Sequence, residues 1–303
     1  MPPGFMHNCD VIVVNYNAGE LIADCVASAL SEGAMHVIVV DNASHDGSLA
    51  HLDTFLADKR LSIIRNERNL GFAAACNVGA KVSGADALLF LNPDCVLMAG
   101  ALRCMMDALQ NDAATGMVGG FLCNPDGSEQ PGGRRVFPTP RRAFIRASGL
   151  SRLNGLFPSL CADFLMHREP LPVEPVVVEA ISGACMLVKR EALERVGPWD
   201  EGYFLHCEDL DWCMRFKLEQ WRVVFVPQAQ VVHAKGSCSR DRPFFVEWHK
   251  HYGMVRFYKK FFKARYSEGL WRCVVVGVWL RFCLVSTALA GRLVLARIGG
   301  ARA

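Results

Sequence analysis

The sequence predicts an α/β protein on a mostly parallel sheet, and three observations lead there. Through the first hundred residues, short apolar β-branched runs alternate with helix-like stretches, the rhythm of βα units. Three of these runs end in polar clusters, as strands do when their carboxyl ends line a ligand crevice. Of the 303 residues, 51% are hydrophobic and 21% charged, which excludes a disordered or fibrous chain and supplies a large core.

The strands are expected at Val11–Val14, Val37–Val40, Leu61–Ile64 and Ala87–Leu91, with helices between them at about Gly19–Ser31, Asp46–Ala57 and Phe72–Val82. The polar clusters are Asn15-Tyr16-Asn17, Asp41-Asn42-Ala43-Ser44 and Asn92-Pro93-Asp94, and they are expected to line one site. From about Ala99 the alternation stops, and residues 124–175 are rich in Pro, Gly and Arg, a loop-like composition. Strand character returns over Val176–Val188, broken at Ser182-Gly183; a helix starts near Glu208, and Trp221–Val232 reads as strand. Phe244–Lys263 and Leu270–Ile298 are the last helical stretches.

Charge is unevenly placed. Residues 1–249 carry 22 Lys and Arg against 29 Asp and Glu, a net −7, whereas residues 250–303 carry 11 against the single acid Glu268, a net +10. An acidic body with a basic tail points to a polyanionic surface. The thirteen cysteines are scattered through apolar stretches (Cys9, Cys25, Cys76, Cys95, Cys185, Cys273, Cys283) without a Cys-x-x-Cys pair, so they read as buried thiols of a reducing compartment. The first residues lack a basic n-region, and Asp10 and Asn15 interrupt the apolar run, so no secretory signal is expected and the body is expected in the cytosol.

Several clusters carry chemistry. Asp94 follows the apolar strand ALLFL, where its carboxylate can hold a hard cation bridging a diphosphate; Asn-Pro-Asp is also good turn chemistry. The chain contains its own control in Asn124-Pro125-Asp126-Gly127, which repeats the tripeptide ahead of Gly and reads as a hairpin turn. Glu208-Asp209-Leu210-Asp211 packs three acids into four residues. They read either as acids complementing a helix dipole or as crowded carboxylates raising one another's pKa until one serves as general base. Asp41 can accept hydrogen bonds from a nucleobase or ribose, and Asn69-Leu70-Gly71-Phe72 reads as a glycine-permitted turn opening a helix. His233 ends VPQAQVVH as a metal ligand or a structural histidine. No G-x-G-x-x-G follows the first strand, and neither a P-loop nor a nucleophile elbow occurs, so dinucleotide redox, P-loop and α/β-hydrolase chemistry lose their support.

In order, the segments VIVVNYNAGELIADCVASAL, VIVVDNASHDGS, NERNLGFAAACNVGA, LLFLNPD and SGACMLVKREALERVGPWDEGYFLHCEDLDWCMRF…VPQAQVVHAKGSC resemble the family 2 inverting glycosyltransferases of the GT-A fold, rhamnosyltransferase-like members above all. The likeness covers roughly residues 9–240. It implies a GT-A fold, with a nucleotide-sugar-binding half over 1–98 and an acceptor-binding and catalytic half over 99–243. Basic, apolar C-terminal helices over 244–303 form an extension to that fold.

The resemblance also implies site roles. Asn17, Asp41, Asn69, Gly71 and Asn92 would line the donor site, Asp94 and His233 would hold Mg²⁺ or Mn²⁺, and Asp209, with Glu208 beside it, would be the catalytic base. Trp199, Asp200 and Asp211 would lie near acceptor and sugar. Asn92 replaces the first acid of the family's Asp-x-Asp, leaving one carboxylate of that motif for metal. The donor implied is a nucleotide-diphosphate sugar, dTDP-rhamnose foremost, with a UDP-hexose or another deoxysugar as alternative; a non-catalytic nucleotide-sugar binder would keep Asp41 and Asp94 but need no base. The acceptor implied is a glycan or polyprenyl-diphosphate-linked sugar.

Cys273–Gly291 is almost wholly apolar and about long enough to cross a bilayer, but Arg281 near its middle costs roughly 2.5–3.5 kcal/mol on insertion. With Phe257-Tyr258-Lys259-Lys260-Phe261-Phe262-Lys263 ahead of it, the tail reads as an interfacial anchor on an anionic cytoplasmic leaflet rather than a nucleic-acid contact.

Overall fold

In a computed structural model that describes residues 8–148, 164–234 and 242–300, the alternating runs become the parallel half of a nine-stranded mixed sheet. In chain order its elements begin β1 (Cys9–Asn15), α1 (Leu21–Ser31), β2 (His36–Asp41), β3 (Leu61–Arg65), α2 (Phe72–Val82), β4 (Ala87–Leu91), β5 (Cys95–Leu97), α3 (Ala101–Gln110) and β6 (Thr115–Cys123). There follow β7 (Arg134–Arg135), α4 (Pro140–Ala147), β8 (Val176–Val178), β9 (Ala180–Ile181), β10 (Cys185–Lys189), α5 (Arg190–Val196), α6 (Glu208–Leu218), β11 (Arg222–His233), α7 (Pro243–Phe261) and α8 (Glu268–Gly300).

The sheet order is β3-β2-β1-β4-β10-β6-β11-β5, with β8 on β11, and β7 pairs with β9 apart from it. β1 is parallel to β2 and β4, in a register that sets Asn15 beside Asp41. β10 is antiparallel to β4 and β6, and the sheet is therefore mixed. β1 and β4 are buried along their whole length, as expected of strands covered on both faces. Val11, Val13, Leu89 and Leu187 face a core shared with α1 and α3, while Gly79 of α2 packs against Ile12 and Val40 on the opposite face.

The segment expected as a helix at Asp46–Ala57 is instead a 3-10 helix over Ser48–Phe55. Gly47 is its N-cap, and Asp46, just before it, accepts from Ser48 N at 3.0 Å and from Gly19 N at 2.7 Å. β6 breaks the loss of rhythm after Ala99. Its sequence TGMVGGFLC hides a strand because a Cβ at Gly119 would stand 2.8 Å from the Ile181 side chain, and one at Gly120 2.7 Å from the Ala229 carbonyl. Glycine is required there by close approach.

Two compact units make up the chain, one from Met1–Phe137, Leu165–Phe204 and Glu208–Cys238, which holds the nine-stranded sheet, and one from Pro138–Phe164, Leu205–Cys207 and Ser239–Ala303. In the second, α7 and α8 pack through Trp248, Trp279 and Phe282, with ring centroids of Trp248 and Trp279 4.8 Å apart. Arg281 is not a lone charge on an apolar helix, because its guanidinium hydrogen-bonds to Nε2 of His251 on α7 at 2.9 Å. α8 is long and apolar enough over Glu268–Leu293 to cross a membrane, and Val276, Leu280 and Leu284 stand exposed on it. The cysteines at 9, 25, 76, 95 and 185 are buried as expected, but Cys273 and Cys283 are exposed on α8.

Candidate active site

Parallel strands that end together bring the first polar clusters to one edge. Asp41 accepts from Asn15 Nδ2 at 2.8 Å and from Ser44 N at 3.2 Å, and Asn17, at φ 53°, accepts from His45 N through its side chain at 2.8 Å. Asn42, expected at the site only as a member of its polar cluster, ties the next loop to this edge. It donates to Asn69 Oδ1 and the Gly71 carbonyl, both at 3.2 Å, and accepts from Asn66 Nδ2 at 2.9 Å.

Gly71 has φ +88°, and a Cβ there would lie 2.7 Å from the Phe204 carbonyl, so only glycine fits. At the start of α2, Gly71 N donates to Asn69 Oδ1 at 2.8 Å and Phe72 N to the Phe204 carbonyl at 2.9 Å.

Asp94 sits just beyond β4, 7% exposed, and its Oδ1 accepts no hydrogen bond among the described residues. β11 pairs antiparallel with β5 so that His233 lies opposite Cys95, and this carries His233 Nε2 to 3.2 Å from Asp94 Oδ1. A buried carboxylate oxygen without a donor, facing an imidazole nitrogen, is a hard-cation donor set, so the residues fit a divalent metal. Cys95 completes the same cluster geometrically, but burial pushes its thiol well above the usual range, and it is a poor ligand.

The acidic cluster opens α6, and its three acids have different surroundings. Asp209 Oδ2 accepts from the Arg135 guanidinium and from Gly183 N at 3.1 Å, while Oδ1 accepts from Leu210 N at 2.7 Å. Burial, with the charge of Asp209 adding to it, pushes the Glu208 carboxyl up to about 8; its Oε2 has no hydrogen-bond partner among the described residues. Asp211 is 0% exposed and held by Tyr203 Oη at 3.1 Å and Arg215 Nε at 2.8 Å, a buried pin of the helix rather than a group facing the crevice.

Trp199 is likewise withdrawn from the crevice. It is 2% exposed and its ring stacks 4.1 Å from that of Trp212, with Phe72 and Phe90 edge-on. Asp200 accepts from Gly202 N at 2.9 Å in a local turn.

One short turn ties the end of β4, two residues before Asp94, to Asp209. Asn92 N donates to the Ala184 carbonyl at 2.9 Å, while the neighbouring Gly183 N donates to Asp209. Arg135 and this turn escaped sequence reasoning because their partners are distant in the chain; the only signal was the break at Ser182-Gly183 in an apolar run.

Comparison with known proteins places the chain in a family and a fold. Residues 10–197 match the family model Glycosyl transferase family 2, and residues 140–298 match Glycosyl transferase family group 2. The chain is 29% identical over 245 residues to the N-acetylglucosaminyl-diphospho-decaprenol L-rhamnosyltransferase of Mycobacterium tuberculosis, covering 76% of this chain and 78% of that one. It is 25% identical over 240 residues to the dTDP-rhamnosyl transferase RfbF of Shigella flexneri, covering 77% and 71%. A Pyrobaculum calidifontis mannosyltransferase solved with GDP-mannose and Mn²⁺ superposes with a TM-score of 0.57 at 16% identity, over 99% of this chain and 82% of that one. GalNAc-T7, solved with UDP, GalNAc and Mn²⁺, gives 0.56 at 17% identity, over 76% of this chain and 44% of that one. The fold is GT-A, as the sequence resemblance implied.

Proposed function

This chain belongs to glycosyl transferase family 2 and is a glycosyltransferase, and from that premise we propose that it moves L-rhamnose from dTDP-rhamnose, with inversion, to a hydroxyl of a polyprenyl-diphosphate-linked glycan. The observation that carries the reading is the turn Ser182–Ala184, which holds Asn92, two residues before Asp94, and Asp209 by backbone groups of successive residues. One turn thus touches both the strand end that leads to the cation-type donor pair and a carboxylate, which supports assigning to them the two roles that inverting transfer needs.

Asp209 is the base. Arg135, Gly183 and Leu210 fix its carboxylate, and Oδ1, which accepts only Leu210 N of these three donors, keeps a lone pair for the acceptor hydroxyl's proton. Glu208, held neutral by burial at neutral pH, adds no second negative charge beside it. Asp94 and His233 would hold Mg²⁺ or Mn²⁺, which would supply positive charge to offset that of the departing diphosphate. Asp41, Asn69 and Asn17 shape the nucleotide end of the crevice. Asp209→Asn keeps donor binding, read by saturation-transfer NMR with dTDP-rhamnose, and loses transfer by several orders of magnitude; wild-type transfer in that variant overturns the assignment.

The α7–α8 hairpin lies on the anionic cytosolic face of the membrane, supported by its exposed leucines and by the tail's charge of +10. Leu280→Glu with Leu284→Glu lowers binding to phosphatidylglycerol-containing vesicles by about tenfold or more, given roughly 1.5–3 kcal/mol per buried leucine. Unchanged flotation would remove the hairpin from the lipid contact.

A further inference from the structure

The second Asn-Pro-Asp reaches the metal-type pair through Gln130. The turn itself is ordinary: Gly127 N donates to the Asn124 carbonyl at 2.9 Å, and Asn124 N to the Ser128 carbonyl at 2.9 Å. From it a line of side chains runs inward. Ser128 Oγ donates to Asp126 Oδ1 at 2.6 Å, and Asn124 Nδ2 donates to Ser128 Oγ at 2.9 Å. Gln130 Nε2 donates to Asn124 Oδ1 at 2.9 Å and to the His233 carbonyl at 2.6 Å, and Gln130 Oε1 stands 2.9 Å from His233 Nδ1.

The direction of this line is forced. Burial and hydrogen bonding aside, a carboxylate only accepts, so Asp126 takes the Ser128 hydroxyl hydrogen, and Ser128 Oγ can only accept from Asn124. Asn124 then presents its oxygen to Gln130, and Gln130 presents its NH₂ outward and its oxygen to the imidazole. The backbone carbonyl of His233 fixes the same orientation independently, because an oxygen in place of Gln130 Nε2 would face it at 2.6 Å. Gln130 is 2% exposed, so no water competes for its oxygen from bulk solvent.

We propose that Gln130 is a positioning residue for the metal site: its amide oxygen holds the hydrogen of His233 on Nδ1 and so leaves Nε2 bare toward Asp94 as a ligand. This rests on the reading of Asp94 and His233 as metal ligands, and extends it to a residue that touches neither metal nor substrate. A histidine whose far nitrogen is anchored this way gains orientation and basicity, and loss of such a partner typically costs ten- to a hundredfold in metal affinity. Without Gln130, the hydrogen is free to move to Nε2 and donate to Asp94, which would occupy both ligand atoms with each other.

The test is titration of the full chain with Mn²⁺ alone, free metal being read by EPR and a bound imidazole nitrogen by electron spin-echo modulation. His233→Ala removes the nitrogen modulation, Asp94→Ala weakens binding, and Gln130→Leu weakens binding by about ten- to a hundredfold with reduced modulation. If His233→Ala and Asp94→Ala both bind Mn²⁺ like wild type, the metal reading itself fails. If those two lose it while folded Gln130→Leu matches wild type, the metal reading stands and the role of Gln130 is overturned. Should Gln130→Leu not fold, long-range ¹H–¹⁵N spectra of the ¹⁵N-histidine wild-type protein in saturating Mg²⁺ decide the matter. A slowly exchanging hydrogen on His233 Nδ1 is expected, and a bare Nδ1 overturns the proposal.

Discussion

The tripeptide Asn-Pro-Asp occurs twice in this chain, 32 positions apart, and its two copies do opposite things. At Asn92-Pro93-Asp94 it follows a strand buried on both faces, and the aspartate is inside the protein with an oxygen that is unbonded among the described residues and faces a histidine. At Asn124-Pro125-Asp126 it caps a hairpin in solvent, and hydrogen bonds from Ser128 hold its aspartate below the usual carboxylate range. Local sequence sets the bend in both; what the aspartate can do is set by burial and by which distant residue arrives opposite it. A carboxylate already satisfied in water has little reason to bind a cation, whereas a buried one lacking a donor has much to gain.

The contrast is broken most directly by removing each aspartate in turn. Asp94→Ala is expected to lower transfer by about a thousandfold, corresponding to several kcal/mol of lost charge stabilisation. Asp126→Ala stays within a few fold, since the His233 carbonyl still orients Gln130. Equal losses in steady-state assays would erase the distinction.

Two glycines sharpen it on stability. Gly71→Ala forces a side chain into φ +88° and into the Phe204 carbonyl, costing about 3 kcal/mol. Gly127→Ala, at φ +82° in open space, costs about 1 kcal/mol. Urea unfolding of the two variants measures the difference, and equal costs would mean that packing adds nothing to backbone strain.

The smallest effect concerns a buried acid with one carboxyl oxygen unbonded among the described residues. The fold holds Glu208 at about 8, above its ordinary 4.5, so it favours the neutral form. The stability this allows is fully present below about 4.5 and is lost as pH rises through 8. Glu208→Gln is therefore expected to raise Tm over wild type progressively between pH 5 and pH 9. A pH-independent difference would show that Glu208 ionises as freely as an exposed acid.

Sequence made some of this legible and hid the rest for physical reasons. β1, β2 and β4 announce themselves because strands buried on both faces need unbroken Val, Ile and Leu, and their ends must turn polar. β6 is disguised by the glycines that let Ile181 and the β11 backbone approach. The charged cluster Glu208–Asp211 was visible, but the division of labour within it was not, since it depends on Arg135 from 74 positions away and on Tyr203 across a turn. Trp199 and Asp200 carried the family pattern, yet the indole serves the aromatic core and the carboxylate a local turn. Gln130 gave no signal at all, because its partner His233 lies 103 positions further along the chain.

The turn Ser182–Ala184 has a consequence for substrate choice. By accepting from Asn92 N at the Ala184 carbonyl and donating to Asp209 from Gly183 N, it works as a ruler of fixed length between the end of β4 and the start of α6. Under the proposed function, a sugar ring is expected to have to fit that gauge, whichever nucleotide delivers it. Lengthening the turn by one residue would change the gauge itself, and with it the ring that can bridge the two ends.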